Sequence, residues 1–194
     1  MLTKRLLPHI ALALVVAQLL LMLVSWIVSA ALPMGGVRSM LSGEGIRWFL
    51  GHYADVLATP LLVWILLLSM AYGCVTKSVS LHARSYRESR ARIIALIFLL
   101  VFLCAVLLMT VVPHAVLLAA DGSLWASPFS YSLVPLIALG LTMAGIVYGL
   151  VSARFTSLAD IFDSLICGLR AAAPWLLLYV LLAQLYYSLL FVFA

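Results

Sequence analysis

The sequence predicts an all-α polytopic membrane protein, with about five transmembrane helices and two amphipathic interfacial helices in a single integral-membrane domain over 1–194. Three observations lead there. Of the 194 residues, 67% are apolar and only 9% are charged, against about 45–50% and about 25% in an ordinary globular chain. The excess falls in charge-free runs of about twenty residues, each long enough to cross a hydrocarbon core of roughly 30 Å at about 1.5 Å per residue. Finally, Lys and Arg gather on one side of the topology that these runs imply. This composition excludes a soluble enzyme, a disordered linker and a disulfide-stapled secreted module.

The expected spans are 10–32, 57–75, 93–113, 131–152 and 172–193. All are continuous apolar runs without the alternation of a barrel strand, so they are read as helices, which satisfy their own backbone polar groups in lipid. Lys4 and Arg5 precede the first span, and Val28-Ser29-Ala30 resembles a signal-peptide cleavage site. The stretch from Ile10 to Leu32 is nevertheless longer than the roughly 7–15 apolar residues of a signal peptide. Removal of that span would leave four.

Met34-Gly35-Gly36 then breaks the helix. Ile46, Phe49, Leu50, Tyr53 and Leu57 recur at helical spacing, with Glu44, Arg47 and His52 between them. This is an amphipathic helix begun by Ser42 as N-cap, lying at the interface with Trp48 as an anchor. A functional reading makes it a gate or docking site; the simpler one makes it structural. In the second span Ser69 and Gly73 are one turn apart, a spacing that lets helix backbones approach closely. The connection over 76–92 holds five basic residues and the single acid Glu88. Tyr86 is its only aromatic residue, so it reads as a solvated loop beside anionic lipid rather than a nucleic-acid surface.

Past the third span, Asp121-Gly122-Ser123 forms a short turn, and Trp125, Phe129 and Tyr131 suit the headgroup level. The fourth span opens near Pro135 and carries Gly140, Gly145 and Gly149, the last two again one turn apart. Ser157 and Asp160 then make a capping-box pattern with Asp in place of Glu. Leu158, Ile161, Phe162, Leu165, Ile166 and Leu169 follow as an apolar stripe, giving a second amphipathic helix that ends near Arg170. Asp160 and Asp163 complement the helix dipole; the alternative is that they hold a coupling ion. Pro174 suits the first turn of the final span.

Orientation follows from the basic residues. Lys4, Arg5, Lys77, Arg84, Arg87, Arg90, Arg92, Arg154 and Arg170 fall on one side, and only Arg38 and Arg47 on the other. This bias places the N-terminus in the cytoplasm and, after five crossings, Ala194 outside. The net charge of +5 is therefore read as topology, with the lipid bilayer rather than nucleic acid as the partner.

No Asp, Glu, Lys or Arg lies in the middle of a predicted span. The polar groups there are Gln18, Ser25, Ser69, Tyr72, Thr142, Tyr148, Gln184 and Ser188. Each suits an interhelical hydrogen bond. A functional reading makes Gln18, Tyr72, Thr142 and Gln184 the substrate contacts of a polar cavity at mid-depth. Gln18 and Gln184 are the costliest to expose to lipid and should face protein. His9, His52, His82 and His114 are scattered, and Cys74, Cys104 and Cys167 lack metal spacing. No nucleophile elbow or phosphate-cradling loop occurs. Neither a metal, a cofactor nor an enzyme activity is expected.

Two stretches carry a family resemblance. SMLSGEGIRWFLGHYADVLATPLLVWILLLSMAYGCVTKS (39–78) resembles the early region of the AbgT family, the p-aminobenzoyl-glutamate transporters. There an "LLS-x-EGI-x-W-x-L" segment precedes a span ending in a "KSG"-like turn; here Lys77-Ser78 is followed by Val79. VPLIALGLTMAGIVYGLVSARFTSLADIFDSLICGLRAAAPWLLLYVLLAQLYY (134–187) resembles that family's C-terminal end. Gly145-Ile146, Tyr148-Gly149, Asp160, Pro174-Trp175 and Ala183-Gln184 carry the likeness.

Family members are longer, and their re-entrant hairpins and substrate-binding residues lie in a middle region. Here the middle is represented only by the span 93–113 and a loop, so no family binding residue has a counterpart. The resemblance implies an abbreviated inner (plasma) membrane protein that takes part in transport of a small organic anion, as a homo-oligomer or with another membrane subunit. The alternative is a non-transporting scaffold that anchors a larger membrane complex, the part of the frame that packs. With the orientation drawn above, Gly122→Cys is expected to react with an impermeant thiol reagent added outside intact cells, and Ser85→Cys to be spared. The opposite labelling pattern reverses the topology.

Overall fold

The structure is a computed structural model that describes residues 2–31, 36–79, 86–111 and 128–193. Among these there are seven helices and no strand: α1 (Leu2–Ala31), α2 (Gly43–Gly51), α3 (Tyr53–Leu57), α4 (Pro60–Ser78), α5 (Tyr86–Val111), α6 (Pro128–Val151) and α7 (Leu158–Phe193). Five of them, α1, α4, α5, α6 and α7, are long and apolar enough to cross a membrane. The all-α class and the five spans are thus those that run length and composition imply. The Met34-Gly35 part of the helix break, the 121–123 turn and Arg84 lie outside the described residues.

The helix starts follow local chemistry. Ser42 caps α2: its Oγ accepts the Gly45 N–H at 3.1 Å while donating to the Ser39 carbonyl at 2.8 Å. Glu44 sits in the first turn, where a negative charge complements the dipole. At the start of α7 the Asp160 carboxylate accepts the backbone N–H groups of Thr156 and Ser157 at 2.8 and 2.9 Å and the Thr156 hydroxyl at 2.9 Å. Ser157 Oγ accepts the Asp160 N–H in return at 3.3 Å, which completes the reciprocal box.

At the other end of the preceding connection, α6 stops through Ala153, held at φ 58°. The N–H groups of Arg154 and Phe155 turn back to the Gly149 carbonyl at 2.9 and 3.0 Å, which satisfies an otherwise free helix-end carbonyl. The amphipathic stretch from Leu158 and the last span are one uninterrupted helix of 36 residues. Pro174 therefore lies inside α7, where it cannot donate to the carbonyl one turn before it.

The chain forms two compact units. The first comprises Met1–Val63 and Ala173–Ala194, and the second Trp64–Ala172. In the first, Met40, Phe191 and Val192 form a buried core against Leu21, Met22, Val37, Trp48 and Phe49. Trp48 stacks on Phe191 with centroids 4.6 Å apart, and the Arg38 N–H donates to the Val192 carbonyl at 3.0 Å. Ser25, inside α1, donates to the Met22 carbonyl at 2.9 Å and accepts the Met40 N–H at 3.2 Å. The segment joining α1 to α2 is thereby pinned to the ends of α1 and α7. Tyr179 bonds the Thr59 hydroxyl and the Leu57 carbonyl, so the residues leading into α4 are tied to α7 as well.

In the second unit small residues set the spacing. A Cβ on Gly73 would meet the Gly168 Cα at 2.7 Å, and one on Gly168 would run into the Ser69 carbonyl. Ser164, also buried, lies beside Gly73. A Cβ on Gly145 would stand 3.0 Å from Cys74 Sγ and 3.3 Å from Ser78 Oγ, and Cys74 donates to the Thr142 carbonyl at 3.4 Å. Gly140 receives the Phe102 ring of α5, and Gly149 the ring of Phe155 from the turn after α6. Arg87 donates to the Val151 carbonyl at 3.1 Å, and Arg154 pairs with Glu88 at 3.1 Å, closing the Val151 end of the unit.

Because backbone rather than a yielding side chain opposes it, Gly168→Val is expected to destabilise the detergent-solubilised protein by about 1–3 kcal/mol or more. Gly51→Ala, which meets nothing within 4 Å, should leave the melting curve unchanged. Equal melting temperatures for both variants would remove the close α4–α7 crossing.

Candidate functional site

The four sequence-derived substrate candidates fall in different surroundings. Tyr72 of α4 is 60% exposed, so its ring lies on the outside of its unit. The Thr142 hydroxyl donates to the Ala138 carbonyl of its own helix at 2.7 Å, while its backbone carbonyl accepts from Cys74. Both polar ends of Thr142 therefore serve helix packing. Ser69, one turn before Gly73, likewise donates to its own helix, at the Leu66 carbonyl, 2.7 Å away.

Gln18 and Gln184 differ. Gln18 Nε2 donates to Ser188 Oγ at 2.9 Å and links α1 to α7. Ser188 is fully buried. Gln184 precedes it by one turn, on the same face of α7, and is only 6% exposed. Gln18 Oε1 and both amide atoms of Gln184 are buried with no hydrogen-bond partner among the described residues. The first unit thus holds a patch of amide and hydroxyl groups with one hydrogen bond made and three amide atoms open. Two are carbonyl acceptors and one is an N–H donor. A buried polar group left unpaired costs about 1–3 kcal/mol, and lipid offers no water to offset that.

The carboxamide pair was legible from residue type, because of the polar groups in these spans the glutamine amide is the costliest to expose to lipid. Two further orphans were not selected from sequence. The Tyr148 hydroxyl on α6 and Ser39 Oγ before α2 are also buried without a hydrogen-bond partner among the described residues. A tyrosine or serine is ordinary in such positions, and only burial distinguishes these two. The groove lined by Tyr186, Leu189, Leu190 and Phe193 on α7 is open and almost wholly apolar.

Comparison with known proteins points one way. A sequence model of the AbgT putative transporter family matches residues 80–191. The match contains the whole of the second stretch, 134–187, together with α5, and begins just after the first stretch, 39–78. No curated protein matches the sequence. The crystal structure of the YdaH transporter of Alcanivorax borkumensis, described as having an unusual topology, is similar at a TM-score of 0.76 and 17% identity. The alignment covers 94% of this chain and 71% of that one. At that identity the likeness is one of fold.

An amide that serves neither packing nor a helix contact can be replaced without harm to the fold. Gln184→Met, close in volume and free of polar atoms, is therefore expected to raise stability by about 1 kcal/mol or more, measured as the melting temperature in detergent. A clear loss of stability would mean that Gln184 has a structural partner.

Proposed function

The chain belongs to the AbgT putative transporter family, and we propose that it takes part in moving a small organic anion across the inner (plasma) membrane of a bacterial-type cell. It does so as an oligomer or with a partner membrane subunit, with the N-terminus in the cytoplasm and the C-terminus outside. Family and fold are those of a multi-pass membrane transporter. The anionic cargo, the assembly and the orientation are readings that the following observations support.

The observation that carries the reading is the open amide patch of Gln18 and Gln184 beside Ser188. An N–H donor and two carbonyl acceptors held at a buried face match a solute such as an acyl-amino acid, which presents both kinds of partner. Tyr72 and Thr142 belong to the second unit and form no part of this patch. The basic excess on the Lys77 and Arg87–Arg92 side supports a cytoplasmic placement of that side.

A second reading, a non-transporting scaffold, draws on the Thr142 and Ser69 hydroxyls, which engage their own helices, and on the tight crossing at Gly168. Uptake separates the two. Purified protein in proteoliposomes is expected to accumulate p-aminobenzoyl-glutamate under a proton or sodium gradient, and Gln184→Met to lower that uptake about tenfold or more, since an unreplaced buried contact is worth roughly one factor of ten. No uptake above empty vesicles, with stoichiometric co-purification of another membrane protein, would establish the scaffold instead.

A further inference from the structure

The open atoms of the amide patch are unequal in what they ask of a solute. Both amide atoms of Gln184 are buried without a partner among the described residues, so a whole carboxamide edge, an acceptor beside a donor, is unfilled. Gln18 Oε1 is a second unfilled acceptor, while Gln18 Nε2 already donates to Ser188 Oγ at 2.9 Å. Gln184 and Ser188 stand one turn apart on a buried face of α7 that continues to Phe191 and Val192. The helix that meets this face through Gln18, α1, buries little of its own surface. A solute reaches the amides where α1 moves off α7 and the Gln18–Ser188 bond opens.

An ionised carboxylate suits these groups badly, because it can only accept. Its oxygens can take the Gln184 N–H, but both carbonyl acceptors then stay unfilled, and a buried polar atom left open costs roughly a factor of ten in affinity. The protonated acid is different. It presents an O–H beside a C=O and meets the Gln184 edge through two parallel hydrogen bonds, as a primary carboxamide also does. Charge points the same way. No Asp, Glu, Lys or Arg lies in the middle of a predicted span. The cation that meets this face of α7, Arg38, is exposed over the Phe191 ring, and Phe191 stands about 10 Å along the helix from Gln184. A carboxylate held at the amides would lack a counter-charge in low dielectric, which favours its neutral form.

We propose that the Gln18–Gln184 patch selects the neutral, protonated form of a carboxylic acid, so that a solute that is an anion in water is held there as its acid. The proton comes from solution and stays on the solute carboxyl; no protein group gives it or takes it. This assignment rests on the reading of the patch as the solute site. A primary carboxamide in place of the carboxyl presents the same edge and needs no proton, so it separates the charge of the solute from its shape.

Binding of N-benzoylglycine and of its amide, N-benzoylglycinamide, is measured on the full-length protein in nanodiscs at about pH 5, 6 and 7, above the usual carboxyl pKa of about 4. The acid is expected to weaken about tenfold per pH unit, and so about a hundredfold over the series, as its neutral fraction falls. The amide should bind equally across the series and, at the upper end, about a hundredfold or more tighter than the acid. The amide also reports any titration of the protein itself. The charged and titratable groups on the elements around the patch are His9, more than two turns before Gln18 on α1, and Arg38, Glu44, Arg47, His52 and Asp55, all exposed. On α7 the nearest are Tyr186 and Tyr187, set edge to face. Gln184→Met should remove binding of both probes; binding that survives it lies elsewhere and overturns the proposal. Should that variant not fold, the two pH series on the parent protein decide alone. An acid that binds as tightly at the top of the series as at the bottom is held as the anion, which overturns the proposal and leaves the patch as the solute site. An amide that weakens in step with the acid assigns the titration to the protein and also overturns it. If neither probe binds, the patch is no solute site and both readings fall together.

Discussion

The structure depends on how closely two backbones can approach in a solvent that gives helices no hydrophobic reason to associate. Lipid tails are as apolar as leucine, so burial of leucine against leucine gains little in the membrane. What remains is van der Waals contact and hydrogen bonding, and both fall off steeply with distance. At Gly168 a single Cβ would strike the Ser69 carbonyl, and at Gly73 one would strike Gly168 itself. The contact between α4 and α7 therefore runs through bare backbone. Ser164, buried at the same contact, adds a small side chain whose hydroxyl is satisfied within its own helix at the Ile161 carbonyl, 2.6 Å away. No polar group is left for the lipid, and no bulky one holds the helices apart.

The first unit solves the same problem by hydrogen bonds instead of glycine. The segment before α2 is irregular backbone, which in an apolar setting needs a partner for every polar group. Arg38 finds one at the last turn of α7, Met40 at Ser25 of α1, and Gly45 at Ser42. Trp48 and Phe191 then cover these bonds with stacked rings. The Arg38 guanidinium, 5.9 Å from the Phe191 ring, places a cation over the same aromatic surface. The amphipathic helix is thus held to α7 by the Trp48–Phe191 stack and by the main-chain bond from Arg38, in the segment before it, to Val192.

Much of this was legible in the residues, for a physical reason. A run of apolar residues long enough to span lipid has few other stable fates, so the five spans follow from length alone. Caps were equally plain, because Ser42 and the Ser157–Asp160 pair act within four residues of themselves. Longer-range features were hidden. Pro174 is as compatible with the first turn of a helix as with its interior, and only tertiary contacts decide; here α7 passes straight through it. Gly168 has the small neighbours Ser164, Ala171 and Ala172 one turn away, but its importance lies in a partner helix far off in sequence. The candidate polar residues divide for a similar reason. Thr142 can satisfy its hydroxyl on its own helix, which a glutamine cannot do with both amide atoms, so of the four candidates it is the glutamines that keep buried open atoms among the described residues.

That division bears on what the molecule is for. A scaffold gains nothing from a buried amide left open, since an apolar residue of equal volume would pack there at lower cost. The chain nevertheless carries Gln184 with both amide atoms open among the described residues. Groups that are stable only when something else supplies the missing partner make sense where a ligand comes and goes. Complete satisfaction within the fold would favour permanence; partial satisfaction favours exchange. Around Gln184 the balance is tilted toward exchange, which is the physical requirement for carrying a solute rather than merely holding a neighbour.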